Sequence, residues 1–263
     1  MAEKITVPEV VKKKSRGEKI VVLTAYDYPT GKIADEAGVD IVLVGDSLGM
    51  VVLGFENTIP VTMDIMVHHT AAVARGVSRA LIVADMPFMS YQASVEDAVR
   101  NAGRLMQEGG AHAVKLEGGA AVAEAVERMV KLGIPVMGHL GMTPQSVHQF
   151  GGYKLQGREE PAAVRILEEA RLLEECGVFA LVLELVPSDL AKRITETLRI
   201  PTIGIGAGLY CDGQVQVIHD ILGFYDRFVP KHTRRYAEIW KAAADAVSEY
   251  VSDVRAGRFP IDE

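Results

Sequence analysis

The chain has 263 residues, of which 49% are hydrophobic and 24% charged, and its formal net charge is −7 at pH 7. This composition supports a large core, and the negative charge argues against nucleic acid as a general partner. No apolar run approaches the roughly 20 residues that cross a bilayer, so a membrane protein is not expected. The first residues lack the apolar segment of a secretory signal, and Cys176 and Cys211 show no metal-binding spacing. These features predict a cytoplasmic protein.

Short apolar runs alternate with amphipathic helical patterns along the chain. In chain order the predicted strands are 19–24, 40–45, 80–84, 112–116, 134–138, 179–183, 201–205 and 216–221, the last having the weakest pattern. Helices are predicted from Ser94 to Gly109, over 120–132, from Pro161 to Gly177, and after Ser188. This alternation predicts a parallel sheet, and eight strands in about 250 residues favour an α/β fold of the closed (β/α)8 TIM barrel type over an open doubly wound sheet.

No Gly/Ser/Pro-rich linker divides the chain, so residues 1–263 are predicted to form a single barrel domain. The additional segments are an N-terminal helix near 7–14 and a C-terminal helical tail over 233–255. Two connections, 47–62 and 141–159, are longer than usual strand–helix loops, and such loops are often lids or binding segments.

Polar residues follow the predicted strands at the points where they end. Because the carboxyl ends of parallel barrel strands open on one face, these side chains are expected to converge there: Asp46, Asp85, Lys115, Glu117, His139 and Glu184. Side chains alternate between the two faces of a strand, so Asp46 shares a face with Val42 and Val44, and Asp85 with Val83. We predict that this shared face lines the barrel interior.

Taken singly, each residue has an ordinary structural explanation, such as a helix cap for Asp46, loop solvation for Glu117 or a hydrogen-bonded core position for His139. Taken together, they form an oxygen-rich set that suits Mg²⁺ better than Zn²⁺. Lys115 could neutralise a carboxylate substrate or a developing enolate, and a Schiff-base lysine is the rival hypothesis. Glu184 lies in an otherwise apolar strand and suits a general base.

At these positions the sequence resembles the ketopantoate hydroxymethyltransferase (3-methyl-2-oxobutanoate hydroxymethyltransferase) family. The resemblance is carried by "TAYDY", "LVGDSLGMVVLG", "HTAAVARG", "ADMPFMSY", "VKLEGG", "GHLGMTPQSV", "GGYKLQGR", "PSDLAKRITETL" and "PTIGIGAG", which span about 20 to 220. It implies a (β/α)8 barrel of the phosphoenolpyruvate-mutase/isocitrate-lyase kind. It also implies transfer of a hydroxymethyl group from 5,10-methylenetetrahydrofolate to 3-methyl-2-oxobutanoate in pantothenate and coenzyme A synthesis.

The resemblance also implies roles for individual residues. Asp46, Asp85 and Glu117 would surround one Mg²⁺ per subunit, directly or through water. Ser47 and Lys115 would hold the 2-oxo acid together with the metal site. His139 would lie beside the substrate, and Glu184 would remove its C3 proton to give a Mg-stabilised enolate. The family is usually a homodecamer, a pair of pentameric rings.

Two other functions compete with this interpretation. One is another Mg-dependent 2-oxo-acid lyase or mutase on the same barrel; relatives of the isocitrate-lyase kind typically carry a catalytic cysteine in a "KKCGH"-like loop, which this sequence lacks. The other is a non-catalytic barrel that serves as a scaffold, which would be favoured if one of the carboxylates were missing.

Overall fold

The computed structural model describes residues 3–224 and 230–260. Its centre is a closed barrel of eight parallel strands in sequential order, which confirms the predicted fold. The strands are β1 (Ile20–Thr24), β2 (Ile41–Val44), β3 (Leu81–Asp85), β4 (Ala113–Glu117), β5 (Val136–Gly141), β6 (Ala180–Glu184), β7 (Thr202–Ile205) and β8 (Gly213–Gln216). Seven of the eight lie within a few residues of their predictions.

The helices of the described residues begin and end largely where the sequence predicts. They are α1 (Val7–Ser15), α2 (Tyr28–Glu36), α3 (Leu48–Val51), α4 (Met63–Gly76), α5 (Val95–Gln107), α6 (Ala123–Lys131), α7 (Val147–Phe150), α8 (Glu160–Glu175), α9 (Ser188–Thr197), α10 (Ile218–Leu222) and α11 (Ile239–Arg255). The Ser94 hydroxyl caps α5 by accepting from the Asp97 amide, and a proline lies in the first turn of α8. Both are common helix-start signals.

The eighth strand was predicted in the wrong place. The segment 216–221 was predicted as strand, but β8 is Gly213–Gln216 and most of the predicted segment forms α10. The four residues of β8 include a glycine and two glutamines, so the strand lacks the apolar run that marks the others. The apolar residues beyond it belong to a helix instead.

The interior of the barrel is filled by alternate strand residues. One buried cluster joins Val83 of β3 and Val182 of β6 to Val10 of α1, together with residues of the other strands. Asp85 and Glu184 lie two positions further along the same strands, so their predicted interior face is correct. For β2 the prediction was wrong: Ile41 and Leu43 belong to this cluster, whereas Val42 and Val44 do not.

Helix α1 covers the amino ends of the strands. Its Val10 is completely buried in the interior cluster. The Lys14 ammonium bonds the Asp212 carboxylate at 2.8 Å, and Lys13 pairs with Asp40 at 3.0 Å. Asp212 precedes β8 and Asp40 precedes β2, so α1 ties together strands from both ends of the chain. This end of a barrel typically serves stability.

Asp35, the penultimate residue of α2, fixes the start of β3. Its carboxylate accepts hydrogen bonds from the amides of Ser78, Arg79 and Ala80 and from the Ser78 hydroxyl, at 2.7–3.0 Å. Burial by itself raises the pKa of Asp35, but these hydrogen bonds outweigh burial and lower it. The carboxylate therefore stabilises the connection that leads into β3.

We expect Asp35→Asn to lower the free energy of unfolding by about 1–3 kcal/mol, because the new amide group faces backbone donors. The folded-state pKa is lowered, so this stabilisation is present above the unfolded-state pKa of about 3.9 and is lost as pH falls through the folded-state value. Urea unfolding at pH 7 and in acid measures both effects. The neighbouring Glu36→Gln change, at an exposed pair, serves as the control. An equal loss in both variants would contradict the prediction.

The chain divides into two compact units, Met1–Gln216 and Val217–Glu263. The barrel lies in the first unit, and the prediction of one domain over the whole chain stays a prediction. In the second unit, α10 ends at Gly223 in the left-handed conformation, and the Trp240 amide donates to the Gly223 carbonyl at 2.9 Å. The predicted tail helix over 233–255 begins later, at Ile239. Among the described residues, no helix combines the length and apolar character that a bilayer crossing requires.

Candidate active site

The structure brings the predicted residues together at the carboxyl ends of the strands. We call Asp46, Asp85, Lys115, Glu117, His139 and Glu184 the strand-end cluster. The parallel register sets Asp85 beside Lys115 and Glu117 beside His139. All members except Glu184 are buried, with exposed fractions of 3–6%. A buried group of this kind needs internal charge compensation.

Lys115 is the lysine at the centre of the cluster. Its ammonium lies 2.9 Å from Asp85 Oδ1 and 3.2 Å from His139 Nδ1. Burial by itself lowers the pKa of Lys115, but the charges of Asp85, Glu117 and Asp46 outweigh burial and raise it. The amine is therefore held in its protonated form, which argues against the Schiff-base alternative and suits the binding of negative charge.

Asp46 enters the cluster from the turn that follows β2. Its backbone amide donates to Asp85 Oδ2 at 3.0 Å. Burial raises the pKa of Asp46 well above its usual range, and the charges of Asp85 and Glu117 raise it further. Burial likewise raises the pKa of Asp85 despite the adjacent Lys115. Three buried carboxyl groups thus share one lysine, so their full ionisation would leave excess negative charge in the cluster.

His139 lies between two carboxylates. Its Nδ1 is 3.5 Å from Glu117 Oε1, and its Nε2 is 3.4 Å from Glu184 Oε2. Burial and Lys115 lower the pKa of His139, while the contacts with Glu117 and Glu184 outweigh them and raise it. When the ring is neutral, the adjacent Lys115 ammonium favours Nδ1 as an acceptor, and when the ring is charged both nitrogens carry hydrogen. In both states a hydrogen on Nε2 faces Glu184.

Glu184 ends β6 at the rim of the cluster. Three buried apolar residues precede it in the strand, Leu181, Val182 and Leu183, as the sequence predicts. In the structure 15% of the Glu184 side chain is exposed, and its Oε2 lies 3.4 Å from His139 Nε2. The next residue, Leu185, has a φ of 45°, in the left-handed region that non-glycine residues rarely adopt. This turn directs the chain away immediately after the carboxylate.

Gly141 holds the backbone of Glu184 at close range. It has a φ of +95°, it faces Glu184 across the sheet, and the Met142 amide donates to the Glu184 carbonyl at 2.8 Å. A methyl group at Gly141 would overlap the Glu184 carbonyl oxygen and lie 2.7 Å from Val186 Cγ1. Only glycine fits this position without moving Glu184.

We expect Gly141→Ala to lower the free energy of unfolding by about 2–4 kcal/mol, from overpacking and left-handed strain together. Turnover should fall as well, since Glu184 is displaced. The matched control is Gly152→Ala, which has a φ of +112° but no atom within 4 Å of the new methyl group. It should show only the conformational cost, about 1–2 kcal/mol, with normal turnover. Chemical unfolding and steady-state kinetics of both variants test this, and equal losses would contradict it.

Ser47 follows Asp46 and begins the short helix α3. Its hydroxyl lies 2.8 Å from the hydroxyl of the buried Tyr26. A side chain at Gly45 would lie 2.7 Å from Ser47 Oγ and 3.6 Å from Asp85 Oδ2, so glycine keeps this space open. Ser47 is therefore placed beside the cluster, with Tyr26 fixing its hydroxyl.

Two further residues of the site were not singled out from the sequence. Gln145 lies in the connection after β5, in "GMTPQS", and its side-chain amide donates to Asp46 Oδ2 at 2.9 Å. Tyr91 follows β3, and its hydroxyl donates to Gln145 Oε1 at 2.7 Å. Both residues stand inside motifs that resemble the family, which was the available signal. Their loops show no hydrophobic period that could place them.

A cation fits the chemistry of the cluster although no cage is preformed. Among the described residues, no three His, Cys, Asp or Glu side chains converge closely enough to hold a metal ion by themselves. The excess negative charge and the oxygen donors nevertheless fit Mg²⁺, which usually takes only one or two carboxylates and completes its shell with water and substrate oxygens. The cysteines lie elsewhere: Cys176 follows α8 and Cys211 precedes β8, both near amino ends of strands.

Comparison with known proteins shows the family of the chain. A family model described as ketopantoate hydroxymethyltransferase matches residues 4–262. The 3-methyl-2-oxobutanoate hydroxymethyltransferase of Syntrophus aciditrophicus (strain SB) is 60% identical over 257 residues, covering 98% of this chain and 94% of the relative. The enzyme of that name from Moorella thermoacetica is 59% identical over 260 residues, covering 99% and 97%. The resemblance found in the sequence is confirmed.

Solved structures show the same fold at much lower identity. A phosphonopyruvate hydrolase, solved with oxalate and Mg²⁺, has a TM-score of 0.62 and 13% identity, with 95% of this chain and 87% of that chain covered. 2,3-Dimethylmalate lyase, described as a PEP mutase/isocitrate lyase superfamily member, also has a TM-score of 0.62 and 13% identity, with 98% and 90% covered. The predicted (β/α)8 barrel fold is confirmed.

Proposed function

Because the chain belongs to the ketopantoate hydroxymethyltransferase family, we propose that the strand-end cluster removes the C3 proton of 3-methyl-2-oxobutanoate and holds the resulting enolate for hydroxymethylation. The enzyme transfers a hydroxymethyl group to this 2-oxo acid and forms ketopantoate, a step of pantothenate synthesis. The observation that carries the mechanism is the convergence of Glu184, His139 and Lys115 with three carboxylates at the carboxyl ends of the strands.

Asp46, Asp85 and Glu117 are the residues that would hold Mg²⁺, directly or through water. The support is their oxygen chemistry and their excess charge beside one lysine. When bound, the ion would supply Lewis-acid polarisation of the substrate's keto group. Binding of Mg²⁺ would compensate the negative charge of three carboxylates that burial disfavours.

Glu184 is the proposed general base. Its carboxylate ends an interior strand, and His139 Nε2 lies 3.4 Å from Glu184 Oε2, from where the ring can orient the carboxylate for proton transfer. Lys115 keeps its positive charge and can stabilise the negative charge that develops as the C3 proton leaves. Ser47, fixed by Tyr26, is the proposed donor to the 2-oxo acid. The buried cluster limits water access while the enolate exists.

The one-carbon donor is proposed to be 5,10-methylenetetrahydrofolate, as the family resemblance implies.

A cytoplasmic location is supported by two free cysteines, as expected in a reducing compartment. A homodecamer of two pentameric rings is proposed from the same resemblance. Exposed apolar side chains on α11, such as Trp240, Val247 and Tyr250, are the kind of surface that oligomer contacts cover.

A turnover assay with 3-methyl-2-oxobutanoate and methylenetetrahydrofolate tests this function directly. Ketopantoate should form when Mg²⁺ is present, and a chelator should stop its formation. The chelated enzyme should recover on addition of excess Mg²⁺. Absence of ketopantoate with every divalent cation tried would overturn the proposal.

A further inference from the structure

Gln145 is a buried amide whose side chain is fully hydrogen-bonded. Its Nε2 donates to Asp46 Oδ2 at 2.9 Å and to the Met86 carbonyl at 3.0 Å. Its Oε1 accepts from the Tyr91 hydroxyl at 2.7 Å and from Gln92 Nε2 at 3.1 Å. Two donors and two acceptor sites are the whole capacity of a glutamine side chain. These partners define both its position and the orientation of the amide.

The backbone around Gln145 adds a second link to the cluster. The Gln145 amide nitrogen donates to Glu117 Oε2 at 3.0 Å. The Tyr91 hydroxyl lies 3.2 Å from both the backbone nitrogen and the carbonyl oxygen of Glu117. Gln145 itself follows β5, so one residue joins the ends of four consecutive strands, β2 to β5, through Asp46, Met86 and Glu117. Gln145 thus hydrogen-bonds both Asp46 and Glu117.

A neutral amide suits this place better than a charged group. A cation here would cancel the negative charge that favours Mg²⁺, and a further carboxylate would add to the repulsion between Asp46 and Glu117. An amide fixes both carboxylates and leaves their net charge unchanged. Groups that orient metal ligands in this way typically contribute 10- to 100-fold to metal affinity or activity.

We propose that Gln145, supported by Tyr91, is a positioning residue that sets the separation of Asp46 and Glu117 and thereby the affinity of the site for Mg²⁺. This inference rests on the proposed function, which assigns the carboxylates to the cation. Gln145 acts through these carboxylates and takes no part in proton transfer. The loop after β5 is thus coupled to the cation site.

The test is calorimetric titration of MgCl₂ into the full-length protein with saturating 3-methyl-2-oxobutanoate. We expect Gln145→Leu to raise the Mg²⁺ dissociation constant about 10- to 100-fold. Raising Mg²⁺ to saturation should restore much of the rate of C3 deuterium exchange, because Glu184 and His139 are intact. Tyr91→Phe removes one neutral hydrogen-bonding group and should weaken Mg²⁺ binding about 2- to 10-fold. This variant tests the inference even if Gln145→Leu does not fold.

The matched control is Gln156→Leu, the same substitution in the same connection. The Gln156 side chain bonds only the Lys154 carbonyl among the contacts of the described residues, so Mg²⁺ affinity should stay at the wild-type value. The combined Gln145→Leu/Tyr91→Phe variant should lose less than the product of the single losses, since both act on the same carboxylates. Wild-type affinity in both Gln145→Leu and Tyr91→Phe, or an equal loss in Gln156→Leu, would overturn the inference. A wild-type protein that binds no divalent cation would instead overturn the proposed metal site, and the inference with it.

Discussion

Glu184→Gln is expected to lower turnover by about 10²- to 10⁴-fold, the usual contribution of a general base. Glutamine keeps the volume of the side chain and a polar group beside His139 Nε2, but it cannot accept the C3 proton. Binding of Mg²⁺ and of the 2-oxo acid should persist, because the side chain lies at the rim of the cluster and 15% of it is exposed. The variant therefore separates proton transfer from binding.

Deuterium exchange at C3 of 3-methyl-2-oxobutanoate, measured by NMR without folate, isolates the proton step. The Glu184→Gln variant should lose this exchange together with turnover, whereas Glu159→Gln, at an exposed position in the preceding connection, should keep both. Exchange at the wild-type rate with reduced turnover would show that another group is the base. His139, which contacts both Glu117 and Glu184, would then be the first residue to test.

Lys115→Met is expected to lower the stability of the protein, whereas Asp46→Asn is not. Removing Lys115 leaves three buried carboxylates without their nearest cation, which should lower the free energy of unfolding of the metal-free protein by about 3–5 kcal/mol. Replacing Asp46 removes one member of a crowded set of like charges, so stability should not fall. Both variants should lose turnover. Lys115→Met removes the positive charge that stabilises the enolate, and Asp46→Asn removes a carboxylate that would hold the cation.

The pH dependence gives these variants a second readout. The folded-state pKa of Lys115 is raised, so its stabilisation is fully present below the unfolded-state value of about 10.4 and is lost only as pH rises through the folded-state value. The folded-state pKa of Asp46 is also raised, so burial opposes ionisation of this carboxyl group. The metal-free wild-type protein should therefore lose stability as pH rises above the unfolded-state value of about 3.9, and Asp46→Asn should lose less stability over the same range. Urea unfolding from pH 4 to 8 checks the Asp46 effect, and over this range the stability deficit of Lys115→Met should stay constant. Equal stability losses in the two variants would contradict the charge-excess account.

The strand ends were predictable because a buried parallel strand is apolar throughout and a polar residue marks its end. Asp85, Glu117 and Glu184 each close a strand, and their predicted convergence holds in the structure. The interior face assigned to Val42 and Val44 was wrong because Asp46, with which they were grouped, lies two positions beyond β2, where the Leu48 amide bonds the Gly45 carbonyl in a turn. Alternation applies only while the chain stays extended.

The polar contacts of the loops could not be predicted in the same way. Gln145 and Tyr91 lie 54 positions apart and meet only because the barrel brings the ends of β3 and β5 together. Glutamine and tyrosine in a loop are most often solvated, and nothing in their spacing indicates a buried hydrogen bond. The strand β8 was misplaced for a related reason, since its pairing with β1 and β7 compensates for a weak apolar pattern.

The pairing of β1 with β8 has a consequence for synthesis of the chain. Lys14 and its partner Asp212 are 198 positions apart, and β8 follows directly after Asp212. At about 5–20 residues per second, the free edge of β1 stays unpaired for about 10–40 seconds on the ribosome. Lys12, Lys13 and Lys14 stand just ahead of that strand, and lysines beside an open edge oppose pairing with another chain. We expect Lys13 and Lys14, which later fasten α1 beneath the finished barrel, also to oppose such pairing while the nascent chain is incomplete.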